Sequence, residues 1–282
     1  MSLPAGVAEA VGAEVDDASR VGGGSINDAW AVRLADGRRA FVKTRADAAP
    51  GEFAFEAGAL AWLAEPGAVR VPAVLGTGDA FLALEWIETG SLDAAGQEAL
   101  GRGLAGLHGA GAPAFGAFEA DRTTLRIGRL SFDVTREDTW PGFYAQRFLL
   151  PLLDEARLTH AGTRAVERVC ERIQELAGPP EPPARLHGDL WSGNVLAGAD
   201  GGPWLIDPAA YGGHREVDLA MLRLFGAPSP RVLAAYEEVA PLADGHADRV
   251  ELYQLFPLLV HAALFGGGYR GSAEAVARRY AG

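Results

Sequence analysis

The segment Leu186-His187-Gly188-Asp189-Leu190-Trp191-Ser192-Gly193-Asn194-Val195-Leu196 restricts the fold more than any other stretch of the 282 residues, because Asp207 follows it in Leu205-Ile206-Asp207-Pro208. Asp189 and Asn194 stand five apart, and Asp207 comes eighteen residues after Asp189. The short apolar runs Val195-Leu196 and Trp204-Leu205-Ile206 read as a hairpin that returns Asp207 to the loop. That would set a carboxylate able to take a proton beside an amide oxygen and a second carboxylate. Mg2+ favours such a set: one or two protein oxygens, the rest from phosphate and water. The competing reading is a turn in which Asp and Asn beside Gly only shape the backbone. The placing of Asp207 argues against it, as does the scarcity of asparagine, present only as Asn27 and Asn194.

The same spacing occurs in the catalytic loop of protein kinases, where the Asp accepts the hydroxyl proton and the Asn and the later Asp hold Mg2+. A kinase also needs a strand-borne lysine for the ATP phosphates. Of the 25 basic residues here only Lys43 is lysine. A GC-rich coding sequence accounts for the arginine bias, and the sole lysine then marks a place where a planar fork does not substitute for a compact charge. Lys43 ends the strand pattern Arg39-Ala40-Phe41-Val42-Lys43-Thr44, and Glu56, thirteen residues on, is its expected ion-pair partner. Glu52 competes, but Phe53 and Leu60 flank Glu56 at helical spacing and turn it inward. Gly23, Gly24 and Ser25, in Gly22-Gly23-Gly24-Ser25-Ile26-Asn27, precede a strand where free backbone N–H groups could cover phosphates. Glu85, Trp86 and Ile87 sit where two lobes would join and where backbone groups would meet the adenine edge.

Around these residues the chain divides into a small β-rich lobe, residues 1–87, and a larger, mainly helical lobe, residues 88–282. The pattern is α+β and bilobal, a protein-kinase-like fold. Strands are expected at 29–34 and 39–44, joined by the Asp36-Gly37 turn, and at 71–75 and 80–86. A helix is expected over about 52–64, and long helices at 92–107, 140–156 and 163–177. Further helices are expected near 216–225, 232–239, 250–265 and 273–280. Pro179-Pro180-Glu181-Pro182-Pro183 separates the third long helix from the catalytic segment.

The formal net charge of −12 disfavours a nucleic-acid partner. A single cysteine, Cys170, leaves no disulfide framework or Cys-cluster zinc site. The beginning lacks a basic, apolar leader, and the most apolar run, 252–265, is too short to span a bilayer, so a cytoplasmic protein without membrane partners is expected. His108, His160, His214 and His246 form no metal motif and read as surface or packing residues. Gly188 stands where protein kinases carry an Arg that reads a phosphorylated loop. No Ala-Pro-Glu segment separates Asp207 from Asp218. Both absences point to a small-molecule substrate. Asp218 opens a helix, and either anchors the catalytic loop through backbone hydrogen bonds or simply caps the helix.

Taken together, 187–194, Ile206-Asp207-Pro208-Ala209, the run from Tyr211 to Met221, and Leu264-Phe265-Gly266-Gly267-Gly268-Tyr269 resemble the fructosamine kinase (ketosamine-3-kinase) family, within the wider aminoglycoside-phosphotransferase-like group. Trp140-Pro141-Gly142-Phe143-Tyr144 and the run 252–259 add to the likeness, which spans about 20–270. The resemblance implies ATP-dependent phosphorylation of the 3-hydroxyl of a ketose attached to an amine, with Mg2+ as cofactor. The unstable phosphate then eliminates and frees the amine, so the implied role is deglycation of a small or protein-linked ketoamine. It also implies that Trp191 and His261 line the sugar pocket; packing of the loop and of a buried helix are the alternatives. The chain departs from the family in Val260-His261-Ala262-Ala263, where Asn-His-Leu-Asn is usual, and in Ser25, where some relatives have a redox-active cysteine. Two other functions compete: a kinase of the same fold for an aminoglycoside, choline or homoserine, and a nucleotide-binding pseudokinase scaffold. The sequence leaves the oligomeric state open.

Overall fold

A computed structural model describes residues 3–22, 27–226 and 228–282. The described elements begin with α1 (Val7–Val11) and β1 (Val15–Val21), neither of which was expected from the pattern. β2 (Asp28–Leu34), β3 (Arg39–Thr44), α2 (Glu52–Ala64), β4 (Val74–Gly78) and β5 (Phe81–Glu85) follow. The five strands form one antiparallel sheet in the order β1-β2-β3-β5-β4.

Alternation along the strands decides what each face holds. Ala40 and Val42 of β3, with Phe81 and Ala83 of β5, pack with Val7 and Val11 of α1. Leu82 and Leu84 face the other way and pack with Phe53 and Leu60 of α2, Phe41 joining them. Lys43 shares the parity of Phe41, so the strand period alone turns it toward α2.

The remainder is mainly helical. It begins with α3 (Ala94–Gly109), then the hairpin of β6 (Thr124–Ile127) and β7 (Leu130–Asp133). The long helix expected over 140–156 is broken into α4 (Trp140–Phe143), a π-helical turn (Tyr144–Leu149) and α5 (Leu152–Ala156). That over 163–177 starts earlier and divides into α6 (His160–Glu171) and α7 (Ile173–Leu176). Two short hairpins carry the catalytic segment: β8 (Ala184–Leu186) pairs with β11 (Tyr211–Gly213), and β9 (Val195–Ala197) pairs with β10 (Pro203–Leu205). The chain closes with α8 (Glu216–Leu222), α9 (Pro230–Val239), α10 (His246–Phe265) and α11 (Gly268–Ala281).

α10 is the axis of the helical core. Leu252, Tyr253, Leu255, Phe256, Leu258 and Leu259 are all buried, so its apolar surface runs most of the way round. Pro257 lies inside it and has no N–H to offer the preceding turn. Beside it the Tyr144 hydroxyl donates to Leu252 O at 2.9 Å and receives Phe256 N–H at 3.4 Å. The π-helical turn that interrupts 140–156 begins at Tyr144. No helix of the described residues is long and apolar enough to cross a membrane.

Candidate active site

A cleft of about 880 Å³ is lined by Lys43, Glu56, Asp189, Asp207, Trp191 and His261, together with Asn27 and the Asp121–Gly128 segment. Lys43 Nζ donates to Glu56 Oε1 at 2.6 Å and forms a second, short ion pair with Asp207 Oδ1. Glu52 instead pairs with Arg45, which leaves Glu56 as the partner of Lys43. Burial by itself pulls the Lys43 ammonium down, but the charges of Glu56 and Asp207 outweigh it and hold its pKa above the ordinary lysine value. Burial raises the carboxyl of Glu56, against the pull of Lys43.

Asp207 has a left-handed backbone, φ 56°. Among the described non-glycine residues only Arg157 shares that region. Such a conformation persists where the surroundings fix it. Ile206 N–H donates to Asn194 O at 3.0 Å and Ile206 O accepts from His187 Nε2 at 2.9 Å, so the residue before Asp207 is tied to both ends of the loop. Because Nε2 faces a carbonyl it carries the proton, and Nδ1 is then the acceptor for Asp189 N–H at 3.3 Å.

Asn194 is buried, and its Nδ2 donates to Asp189 O at 2.8 Å and Asp189 Oδ2 at 3.1 Å. That leaves Asn194 Oδ1 as the amide oxygen for a cation and Asp189 Oδ1 without a protein partner. Burial raises the Asp189 carboxyl, opposed by His187, Asn194 and His261 and reinforced by Asp207. Among the described residues no three His, Cys, Asp or Glu side chains converge as a metal site. A donor pair of Asn194 and Asp207 therefore fits a cation that takes its other oxygens from phosphate and water.

Gly188 is fixed by space as well as by conformation. Its φ is +81°, and a Cβ there would overlap Ala209 O, whose residue donates its N–H to His187 O at 3.0 Å. Beneath the loop Asp218 resolves the choice left open by sequence. The residue before α8 is Arg215, not Asp218. Asp218 accepts His187 N–H at 2.7 Å and Gly188 N–H at 2.9 Å, with His108 Nε2 at 3.3 Å. Burial would raise its carboxyl, but His108, His187 and the Gly188 N–H lower it below the usual range. His108 is thus a packing residue that also supports the loop. No motif announced this, since it lies 110 positions from Asp218.

The far wall is aromatic. Trp191 lies edge-on to Phe225 at 6.1 Å, and Phe225 is 4.7 Å from His261, itself 5.0 Å from Tyr269. Trp191 also packs on its own loop: a Cβ on Gly193 would overlap the indole. His261 Nδ1 donates to Pro257 O at 2.7 Å, which leaves Nε2 as an acceptor.

Two groups of expected site residues are not among those that line the cleft as described. Gly23, Gly24 and Ser25 fall outside the described residues. Glu85, Trp86 and Ile87 do not line this cleft. Glu85 ends β5 and accepts Ala73 N–H at 3.1 Å, and Trp86 lies under the Arg39 guanidinium at 4.0 Å with its Nε1 buried and unpartnered. The other asparagine, Asn27, lines the cleft with Oδ1 buried and likewise unpartnered.

A model of the fructosamine kinase family matches residues 5–281. The chain belongs to the fructosamine kinase family. Among members of that family, a probable ketoamine kinase of Thermus thermophilus is 38% identical over 252 residues, covering 89% of this chain and 88% of its own. The chloroplastic protein-ribulosamine 3-kinase of Oryza sativa subsp. indica is 35% identical, covering 95% of this chain and 79% of its own. The crystal structure of a presumptive fructosamine-3-kinase from Thermobifida fusca superposes with a TM-score of 0.91 at 46% identity, covering 99% of this chain and 98% of that one. An aminoglycoside phosphotransferase, at 17% identity, shares the fold with a TM-score of 0.61 over 96% of each chain. The bilobal kinase-like architecture expected from sequence is therefore the architecture of this fructosamine kinase family member.

Proposed function

We propose that this chain is a cytoplasmic, ATP- and Mg2+-dependent kinase that phosphorylates the 3-hydroxyl of ketosamines and so reverses the glycation of amines. The observation that carries the reading is the meeting, in one cleft, of the Lys43–Glu56–Asp207 cluster and Asp189, which Asn194 holds from behind, opposite an aromatic wall. Residues 1–87 serve as the nucleotide lobe and 88–282 as the catalytic and substrate lobe.

In this reading Lys43, held by Glu56, steadies the ATP phosphates. Gly23, Gly24 and Ser25 cover them, and the backbone of Glu85–Ile87 meets the adenine. Asn194 Oδ1 and the Asp207 carboxylate would hold Mg2+, which when bound neutralises charge on the transferring phosphoryl group. Asp189 Oδ1 receives the sugar hydroxyl proton; a carboxyl raised by burial is a better base than an ordinary aspartate at neutral pH. Trp191 and His261 hold the ketose, the indole as a flat apolar surface and Nε2 as an acceptor for a hydroxyl.

ADP release with Mg-ATP and a panel of fructosyl- and ribulosyl-amines, choline and an aminoglycoside tests this. Ketoamine-dependent release is expected. Asp189→Asn should lower turnover by about 10²–10⁴ while ATP still binds. Turnover of another alcohol alone would replace the substrate class, and full activity of the variant would remove Asp189 as the base.

A further inference from the structure

α2 carries Glu56 and through it sets Lys43. Its first turn has no side-chain cap, and in its last turn backbone N–H groups close Ala61 O and Ala64 O. Two arginines from the helical lobe also attach to it. Arg122 Nη1 donates to Ala54 O at 2.7 Å, two residues before Glu56. Arg185 Nη1 donates to Trp62 O in the last turn and pairs with Glu65 at 2.9 Å. Its Nε donates to Gly111 O at 3.3 Å, and its guanidinium lies 4.5 Å over the Trp62 ring. A cation on a C-terminal helix carbonyl satisfies an orphan acceptor and opposes the helix dipole.

The packing around this joint is specific to it. Phe118 stacks on Trp62 at 5.0 Å and meets Phe55 edge-on at 5.5 Å. Gly58 sits mid-helix, where glycine costs about 1 kcal/mol against alanine. A Cβ on it would come within 3.0 Å of Arg122 Nη1, so the glycine makes room for the guanidinium. Arg185 lies in β8, directly before Leu186-His187, the start of the catalytic loop. A polypeptide step from Arg185 therefore leads to Asp189, and a side-chain step leads to the helix of Glu56.

We infer that Arg185 and Arg122 are positioning residues that clamp the two ends of α2 to the catalytic lobe, so that the Lys43–Glu56 pair is assembled in the resting protein without a switch. The inference rests on the proposed role of Lys43 at the ATP phosphates. Its test is chosen to be readable without any ketoamine. Because Lys43 is the only lysine, its acylation by an N-hydroxysuccinimide ester, followed by peptide mass spectrometry, reports directly on how well that pair is shielded.

Arg185→Ala should accelerate Lys43 acylation about tenfold, the loss of one charged hydrogen-bonded anchor. With the acceptor that the ADP-release panel identifies, KM for ATP should rise by a similar factor while KM for the acceptor stays within about twofold. Arg185→Lys, which keeps the charge but not the fork, should fall between. Circular dichroism at the assay temperature identifies variants that have simply unfolded. Should Arg185→Ala do so, Arg122→Gln removes the bond to Ala54 instead and should accelerate acylation about threefold. Folded variants with wild-type acylation rates and an unchanged KM for ATP would overturn the clamp. Faster acylation in a protein whose wild type leaves every ketoamine untouched would uphold the clamp and reject the ketoamine reading.

Discussion

Gly188 and Asp189 sit side by side in the loop and fail in different ways when altered. At Gly188 the positive φ and the nearby Ala209 carbonyl leave no place for a side chain. Gly188→Ala should destabilise the protein by about 2–4 kcal/mol and lose activity with it, as urea denaturation and ADP release would show. Asp189→Asn should leave stability nearly intact and remove the proposed base. Since burial holds the Asp189 pKa above that of an ordinary aspartate, kcat/KM should climb with pH across that raised value. A pH–rate profile whose acidic limb lay at the ordinary carboxylate pKa would contradict this. At this scale the sequence was informative wherever chemistry restricts residue type. Lys43, Glu56, Asp189, Asn194 and Asp207 meet as their spacing suggested. Residues that act by support were not visible: His108, Arg122 and Arg185 are common types whose partners lie 68 to 123 positions away.

The elements that carry the loop are short, and the bonds of His187 and Gly188 to Asp218 stand in for length. β8, β9, β10 and β11 have three residues each. Asp218→Ala would strip two backbone N–H groups and a buried histidine of their acceptor, and should cost about 3 kcal/mol or more in chemical denaturation. The folded pKa of Asp218 lies below its unfolded value. Its stabilisation is then complete above the unfolded carboxylate pKa and is lost as pH falls through the folded one. An acid-denaturation midpoint unchanged in Asp218→Ala would show that the loop draws its support from elsewhere. Strong periodicity gave β3 and α2 their limits, both coinciding with the pattern. The β6–β7 hairpin was missed because four-residue strands hardly establish a period. The break at Tyr144 was not legible because the bonds of its hydroxyl go to Leu252 and Phe256, more than a hundred residues away in α10.

At the scale of the whole molecule, the arginines are largely tied to carboxylates or backbone carbonyls and the lysine is not on the surface. Lys43 is only 6% exposed and is held between two carboxylates. A reducing sugar condenses with an unprotonated, accessible amine. This protein offers it no lysine side chain of that kind and leaves only the terminal α-amine. Prolonged incubation with ribose should therefore add sugar at that terminus and leave Lys43 unmodified, a result intact-mass and peptide measurements would verify; ribose on Lys43 would refute it. In the proposed role the protein works among sugar-modified amines while its one lysine is kept as a charged ammonium between two carboxylates, so its side chains present little for the damage it would repair.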